Sequence, residues 1–194
     1  MKHVLAPFDP TALEDDPATI CALDRLLRIT YVNRAWRDFA RENGGSWGSG
    51  KWRVGVALLR AIPDALQEFY QGMFERVRES DDPIEHSYEC SSPQTLRRFR
   101  MRAYRCNAGT IVVAHSLALE APHPAAPRPA SDATYRDARG VIIQCCYCRR
   151  VRRMAEAAQW DWVPEYVAQI PRMTSHGICP LCERYYFPEN SAST

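Results

Sequence analysis

Lysine is almost missing from this chain: Lys2 and Lys51 are the only two among 25 basic residues, so arginine carries nearly all the positive charge. That scarcity assigns no function by itself. An excess of either charge is missing too, since 25 Lys and Arg stand against 23 Asp and Glu. Gross electrostatics therefore select neither a polyanion nor a membrane surface. No long apolar run occurs. The opening MKHVLAPFDPTALEDDPAT lacks the stretch a signal peptide needs, and nothing later approaches a membrane span. The expectation is a cytoplasmic protein. Thiols stay reduced there, so the eight cysteines read as metal ligands or free thiols rather than a disulfide framework. No Ser/His/Asp set, paired carboxylates or phosphate loop stands out, and the chain is not expected to be an enzyme.

What is present is a pair of C-x-x-C turns. Cys145 and Cys148 form the first, within Cys145-Cys146-Tyr147-Cys148. Cys179 and Cys182 form the second, within His176-Gly177-Ile178-Cys179-Pro180-Leu181-Cys182. One such turn is a weak signal, because redox pairs and chance both produce it. Two of them, with 30 residues between, read as the knuckles of one structural zinc site, although the interval is longer than usual for a zinc ribbon. A segment of about 50 residues buries too little apolar surface to fold securely without a staple, and a metal supplies one. Four thiolates complete the tetrahedron and leave no position for a reactive water, so a structural ion is expected rather than a catalytic one.

Other readings of this region stay open. His176 or Cys146 could replace one of the four ligands; otherwise His176 orients the second knuckle from outside the ligand set. The pairs could also act as a thiol redox switch that releases zinc on oxidation. Arg149, Arg150, Arg152 and Arg153 follow the first pair directly. Four thiolates on a dication carry a net charge of minus two, which these arginines could offset. The sharper reading is contact with nucleic-acid phosphates. Cys21, Cys90 and Cys106 show no ligand spacing and read as core thiols. Trp160, Trp162, Tyr166, Val167 and Ile170 read as the small core of the module.

Four parts are expected along the chain: a flexible N-terminal arm over residues 1–17, a first domain over 18–120, a Pro/Ala-rich linker over 121–140, and the four-cysteine module over 141–190. The first domain opens with a hairpin, strands over residues 19–23 and 28–32 joined by a turn starting at Asp24-Arg25. Asn33 suits a helix N-cap, with Ala35, Trp36, Phe39 and Ala40 as an apolar stripe behind it and Asn43-Gly44-Gly45 as the stop. A longer helix follows Pro63, with Leu66, Phe69, Tyr70, Met73, Phe74 and Val77 on one face. Phe99, Met101 and Ala103 then alternate with Arg98, Arg100 and Arg102, the mark of a strand with one wet face. Asn107-Ala108-Gly109 turns the chain into a last strand over residues 110–119. The expected fold class is α+β: a five-stranded antiparallel sheet with helices on one face, plus a small zinc-stabilised C-terminal module.

That order, with ICALDRLLRITYVNRAWRDFARENGG and RRFRMRAYRCNAGTIVVAHSLAL, resembles a PAS domain over about 100 residues. The resemblance is strongest at Leu23-Asp24 and Ile29-Thr30-Tyr31-Val32-Asn33-Arg34-Ala35-Trp36. It departs at Leu26-Leu27, where many PAS hairpins carry an Asp-Gly turn. The resemblance implies a sensory or dimerising module, hence a homodimer, whose sheet and helices can enclose a ligand that it does not identify. Flavin–cysteine photochemistry is not supported, because no Asn-Cys-Arg-Phe-type motif occurs. His86 and His115 are the histidines available to a haem, but both fall in strand patterns and read as ordinary strand residues.

The tail is similar to a small cysteine-rich module found at the ends of bacterial signalling proteins. Its pattern appears here as Cys145, Cys148, Arg149, Val151 and Arg152, then Trp162, Glu165, Tyr166 and Val167, then Ser175-His176-Gly177-Ile178-Cys179-Pro180-Leu181-Cys182. Gln144 departs from it, standing where an apolar residue is usual. This likeness implies a signalling context rather than a reaction. No phosphoacceptor helix, nucleotide lid, cyclase domain or helix-turn-helix is expected in the chain, so output would run through a partner protein.

Overall fold

The computed structural model describes residues 4–42 and 53–188. The chain forms two compact units, one of residues 1–87 with 99–118, the other of residues 88–98 with 119–194. In chain order the elements are α1 (Pro10–Asp15), β1 (Thr19–Leu23), β2 (Ile29–Val32), α2 (Arg34–Glu42), α3 (Asp64–Glu79), β3 (Ile84–Glu89), β4 (Thr95–Arg105), β5 (Ile111–Pro122), α4 (Asp132–Tyr135), β6 (Ile142–Cys145), β7 (Val151–Arg152), β8 (Trp160–Asp161), α5 (Pro164–Ala168), β9 (Thr174–Gly177) and α6 (Pro180–Tyr186). Five strands make one sheet in the order β2-β1-β5-β4-β3, and four make a second in the order β8-β7-β6-β9. The first is the five-stranded sheet that the sequence suggested, with β1 antiparallel to both β2 and β5.

Residues 4–17, the described part of the expected loose arm, carry structure. Asp9 caps α1 by accepting from the Ala12 amide at 3.0 Å. Leu5 and Leu13 are buried against Ile20, Ala22 and Val112. Side chains alternate across a strand, so Cys21 and Leu23 point to the other face of β1 and are buried as well. The strand is thus covered on both sides, which explains an unbroken apolar run in place of alternation. Burial pushes the Cys21 thiol up to about 12, consistent with an inert core thiol.

The β1–β2 turn solves the missing Asp-Gly with other chemistry. The Asp24 carboxylate accepts from the Leu26 and Arg28 amides at 2.8 and 2.9 Å. Leu27 takes the left-handed conformation, φ 55°, that glycine would take without strain. Leu27 is also buried, and its apolar contacts offset the backbone cost. Asn33 caps α2 as expected, its Oδ1 accepting from the Trp36 amide at 3.0 Å. The expected stop at Asn43-Gly44-Gly45 lies outside the described residues. On α3, Leu66, Met73, Phe74 and Val77 of the predicted stripe are buried. Phe69 and Tyr70 lie half-buried.

The stretch over residues 121–140 also carries structure. Ser131 caps α4, and Tyr135 at its end is 2% exposed. With Ile142, Val151, Val163 and Tyr166 it forms the core of the second unit. The Tyr135 hydroxyl donates to Asp161 at 2.8 Å, and Arg153 binds the same carboxylate at 2.6 Å. Burial and the Asp161 hydrogen bond push Tyr135 up to about 12. Trp162 and Val167 are buried as expected, while Trp160 is half-buried and Ile170 is 53% exposed.

Candidate metal centre

The two knuckles leave the same end of the second sheet because β6 and β9 pair in parallel. Gln144 lies opposite His176 and Cys145 opposite Gly177. Cys145 is the last residue of β6, and Cys179 follows β9 by two residues. The Cys146 amide extends the ladder by donating to the Gly177 carbonyl at 2.9 Å. Gly177 is favoured by close approach rather than by dihedral freedom: a Cβ there would stand a tight 3.3 Å from Ile143 Cγ2.

The first knuckle closes on itself. The Arg149 amide donates to the Cys145 carbonyl at 3.0 Å, and the Cys145 amide to the Arg150 carbonyl at 2.8 Å. Closure puts Arg149 at φ 62°, a left-handed position uncommon outside glycine. Gln144, buried in an otherwise apolar setting, donates through Nε2 to the Arg149 carbonyl at 3.1 Å. The polar residue at that position therefore braces the turn. The second knuckle is a helix start: Cys179 caps α6, its Sγ accepting from the Cys182 amide at 3.5 Å, with Pro180 in the first turn. A further amide, from Cys179, points at Cys145 Sγ at 3.4 Å.

Cys145, Cys148, Cys179 and Cys182 are all buried, and their sulfurs lie within 4.8 Å of one another. The Cys148 and Cys179 sulfurs are 3.6 Å apart. A tetrahedron with bonds of about 2.3 Å has edges of about 3.8 Å, so the spacing suits a bound ion. Four sulfur ligands with amides aimed at them fit a thiophilic dication, which would be held by these side chains alone. Hydrogen bonds among the four groups favour proton sharing: the Cys145 thiol is pulled down by Cys148, and Cys148 and Cys182 are pushed up by Cys145.

The other expected site residues fall outside the cluster. His176 is exposed on β9, and Cys146 is half-buried beside the knuckle. The four arginines separate in role. Arg150 Nη1 is 3.9 Å from Cys148 Sγ and is placed to offset thiolate charge. Arg149 instead donates to the Val167 carbonyl at 2.8 Å and reaches the Ser91 carbonyl at 3.5 Å. Burial pulls the Arg149 guanidinium down. Arg153 is committed to Asp161 and Glu156. Arg152 is half-buried on β7, its Nε enclosed without a hydrogen-bond partner.

The tip of the β3–β4 hairpin, which belongs to the same unit, was missed by sequence reasoning. Trp162 Nε1 donates to the Pro93 carbonyl at 3.1 Å, and the His123 amide to the Gln94 carbonyl at 2.8 Å. The rings of His123 and Trp162 stack at 3.6 Å, tilted by 7°. Cys90, read as a core thiol, lies exposed at this tip. No local pattern foretells contacts between residues so distant in sequence. In the first unit, His86 packs between Phe69 and Tyr70, with ring centroids 5.0 and 5.7 Å away. His115 lies 6.1 Å from Trp36, and burial pulls it down to about 4.

No family model matches the sequence, and no curated protein matches it. The solved structures similar to the chain include PAS domains. One is the PAS domain of an HTR-like protein from Haloarcula marismortui, at 16% identity and TM-score 0.41, covering 55% of this chain and 86% of that one. A PAS domain from a two-component sensor histidine kinase aligns at 14% identity and TM-score 0.38, over 55% of this chain and 90% of that one. The PAS domain of nitrogen regulation protein NR(II) from Vibrio parahaemolyticus aligns at 15% identity and TM-score 0.30, over 55% and 94%.

Proposed function

We propose that this chain is a cytoplasmic signal-transduction protein that works by binding a ligand or partner and by self-association, not by catalysis, with one structural zinc ion in its second unit. The observation that carries the reading is the closed set of four buried sulfurs at Cys145, Cys148, Cys179 and Cys182. The sheet order β2-β1-β5-β4-β3 supports the sensory half. Among the described residues no helix is long and apolar enough to cross a membrane. Zinc is preferred for its affinity for thiolates and its indifference to redox state. Binding free energy there becomes folding free energy for a unit whose sheet strands are only two to four residues long.

Purified protein should carry about one zinc per chain by elemental analysis. Cys145→Ser and Cys182→Ser should each lose it and disorder residues 141–186; stoichiometric zinc in both variants contradicts the ligand assignment. A separate test concerns nucleic acid. Arg149 and Arg153 are occupied by protein groups, which disfavours phosphate contact. Gel-shift titration should show no binding at low salt; a salt-dependent shift would revive the nucleic-acid reading.

A further inference from the structure

The β3–β4 hairpin tip is held by the knuckle and by the segments around it, within the second unit. Arg149, the residue after Cys148, reaches both the Ser91 carbonyl and the Val167 carbonyl. Trp162 and His123, stacked on each other, bind the Pro93 and Gln94 carbonyls. The tip's own bonds outside the strand ladder include the Cys90 amide to the Arg97 carbonyl, Ser92 to Thr95 and back, and the Arg97 amide to Ser91 Oγ. Ser91 Oγ also donates to the Glu89 carboxylate at 2.8 Å.

We infer that residues 88–98 are a metal-responsive element: occupancy of the four-cysteine cluster locks the hairpin tip through Arg149, and loss of the metal releases it. The inference rests on the zinc reading above. One physical link carries it. It is conformational. Arg149 sits at φ 62° in the closed first knuckle, and a metal held by all four sulfurs would tie that knuckle to the second. An opened knuckle lets Arg149 relax toward the ordinary β or α region, and its guanidinium leaves Ser91.

Residues 84–87 and 99–105 continue β3 and β4 from the tip into the first unit's share of the five-stranded sheet.

Hydrogen exchange on the full chain, before and after removal of zinc by a chelator, tests this. The amides of Cys90, Ser92, Arg97 and His123 should exchange at least about tenfold faster once metal is lost, while amides of residues 20–23 and 111–114 keep their protection. Tip amides that stay protected in protein shown to be metal-free overturn the inference, and so does uniform loss of protection across both units. Protein that never takes up zinc refutes the proposed zinc site instead, a distinguishable result. Arg149→Gly keeps the left-handed backbone and removes only the side chain. Loaded with zinc, it should show the fast tip exchange of chelated wild type; a zinc-loaded variant with wild-type tip protection overturns the role of Arg149.

Discussion

Replacing Asn33 with alanine removes more than a helix cap. The Asn33 side chain is fully buried, its Oδ1 accepting two backbone hydrogen bonds and its two Nδ2 hydrogens shared among three backbone carbonyls. Its Oδ1 accepts from the Trp36 amide, the cap itself, and from the Ile20 amide, both at 3.0 Å. Its Nδ2 donates toward the carbonyls of Leu13, Asp16 and Ala18 at 3.1, 3.1 and 2.8 Å. One amide thus ties the end of α1, the start of β1 and the start of α2. A lost cap costs about 1 kcal/mol. The Ile20 amide, left buried without an acceptor, costs about 1–3 kcal/mol more. The three carbonyls add a smaller penalty, because an under-satisfied carbonyl is tolerated better than an orphaned N–H. The sum is about 3–5 kcal/mol, a large part of the roughly 5–15 kcal/mol that holds a domain together.

Urea unfolding followed by far-UV circular dichroism measures that sum, with Asn33→Asp as the second arm. Aspartate keeps both acceptor bonds and loses the donors, placing a carboxylate against three carbonyl oxygens. Its folded pKa should rise above the unfolded value of about 3.9. The folded state then holds the extra proton, so stability falls as pH rises through that window and recovers on acidification, when the acid can donate to one carbonyl. A loss below about 1 kcal/mol for Asn33→Ala, or an Asn33→Asp variant as stable as wild type at pH 7, refutes the reasoning and reduces Asn33 to a simple cap.

Gly177→Ala should weaken zinc binding in competition with a chromophoric chelator, because the new methyl meets Ile143 Cγ2 at 3.3 Å and pushes β9 from β6; adding Ile143→Ala should restore affinity. His115, pulled down to about 4 by burial, makes the unfolded state the better proton acceptor between that value and about 6.5, so stability should fall as pH drops through this range. His115→Gln should flatten that slope in thermal melts, and an unchanged slope would assign it to another group. Tyr135→Phe leaves Asp161 with Arg153 alone in the half-buried site and should cost about 1 kcal/mol in urea titration.

The first unit was legible because its signals are local. The cap at Asn33 and the face Leu66, Met73, Phe74 and Val77 each follow from a few adjacent residues, and the hairpin and the five-strand order agree with them. The arm was misread because proline and acid content describe the surface of residues 4–17 and hide two leucines. Leu5 and Leu13 are too sparse to form a pattern, yet together they cover one face of β1. Tyr135 was lost in a Pro/Ala-rich stretch for the same reason. The cysteines were legible by spacing alone. The roles of the adjoining arginines were not, because four similar side chains in a row separate only when their neighbours in space are known: a sulfur for Arg150, carbonyls for Arg149, a carboxylate for Arg153.

The long interval between the knuckles, which fits a zinc ribbon poorly, follows from the pairing of β6 with β9. Two strands joined by a tight turn must run antiparallel, which would place a knuckle at each end of the sheet. Parallel strands put both at one end but need a crossover of a dozen or more residues. Here the crossover holds β7, β8 and α5, and it contributes Val151, Val163 and Tyr166 to the core. The interval is therefore the length of chain needed to bring Cys179 round beside Cys145. The same crossover carries Trp162, whose indole holds the Pro93 carbonyl. A shorter ribbon could close the metal site, but it would have no residue in that position to grip the hairpin tip.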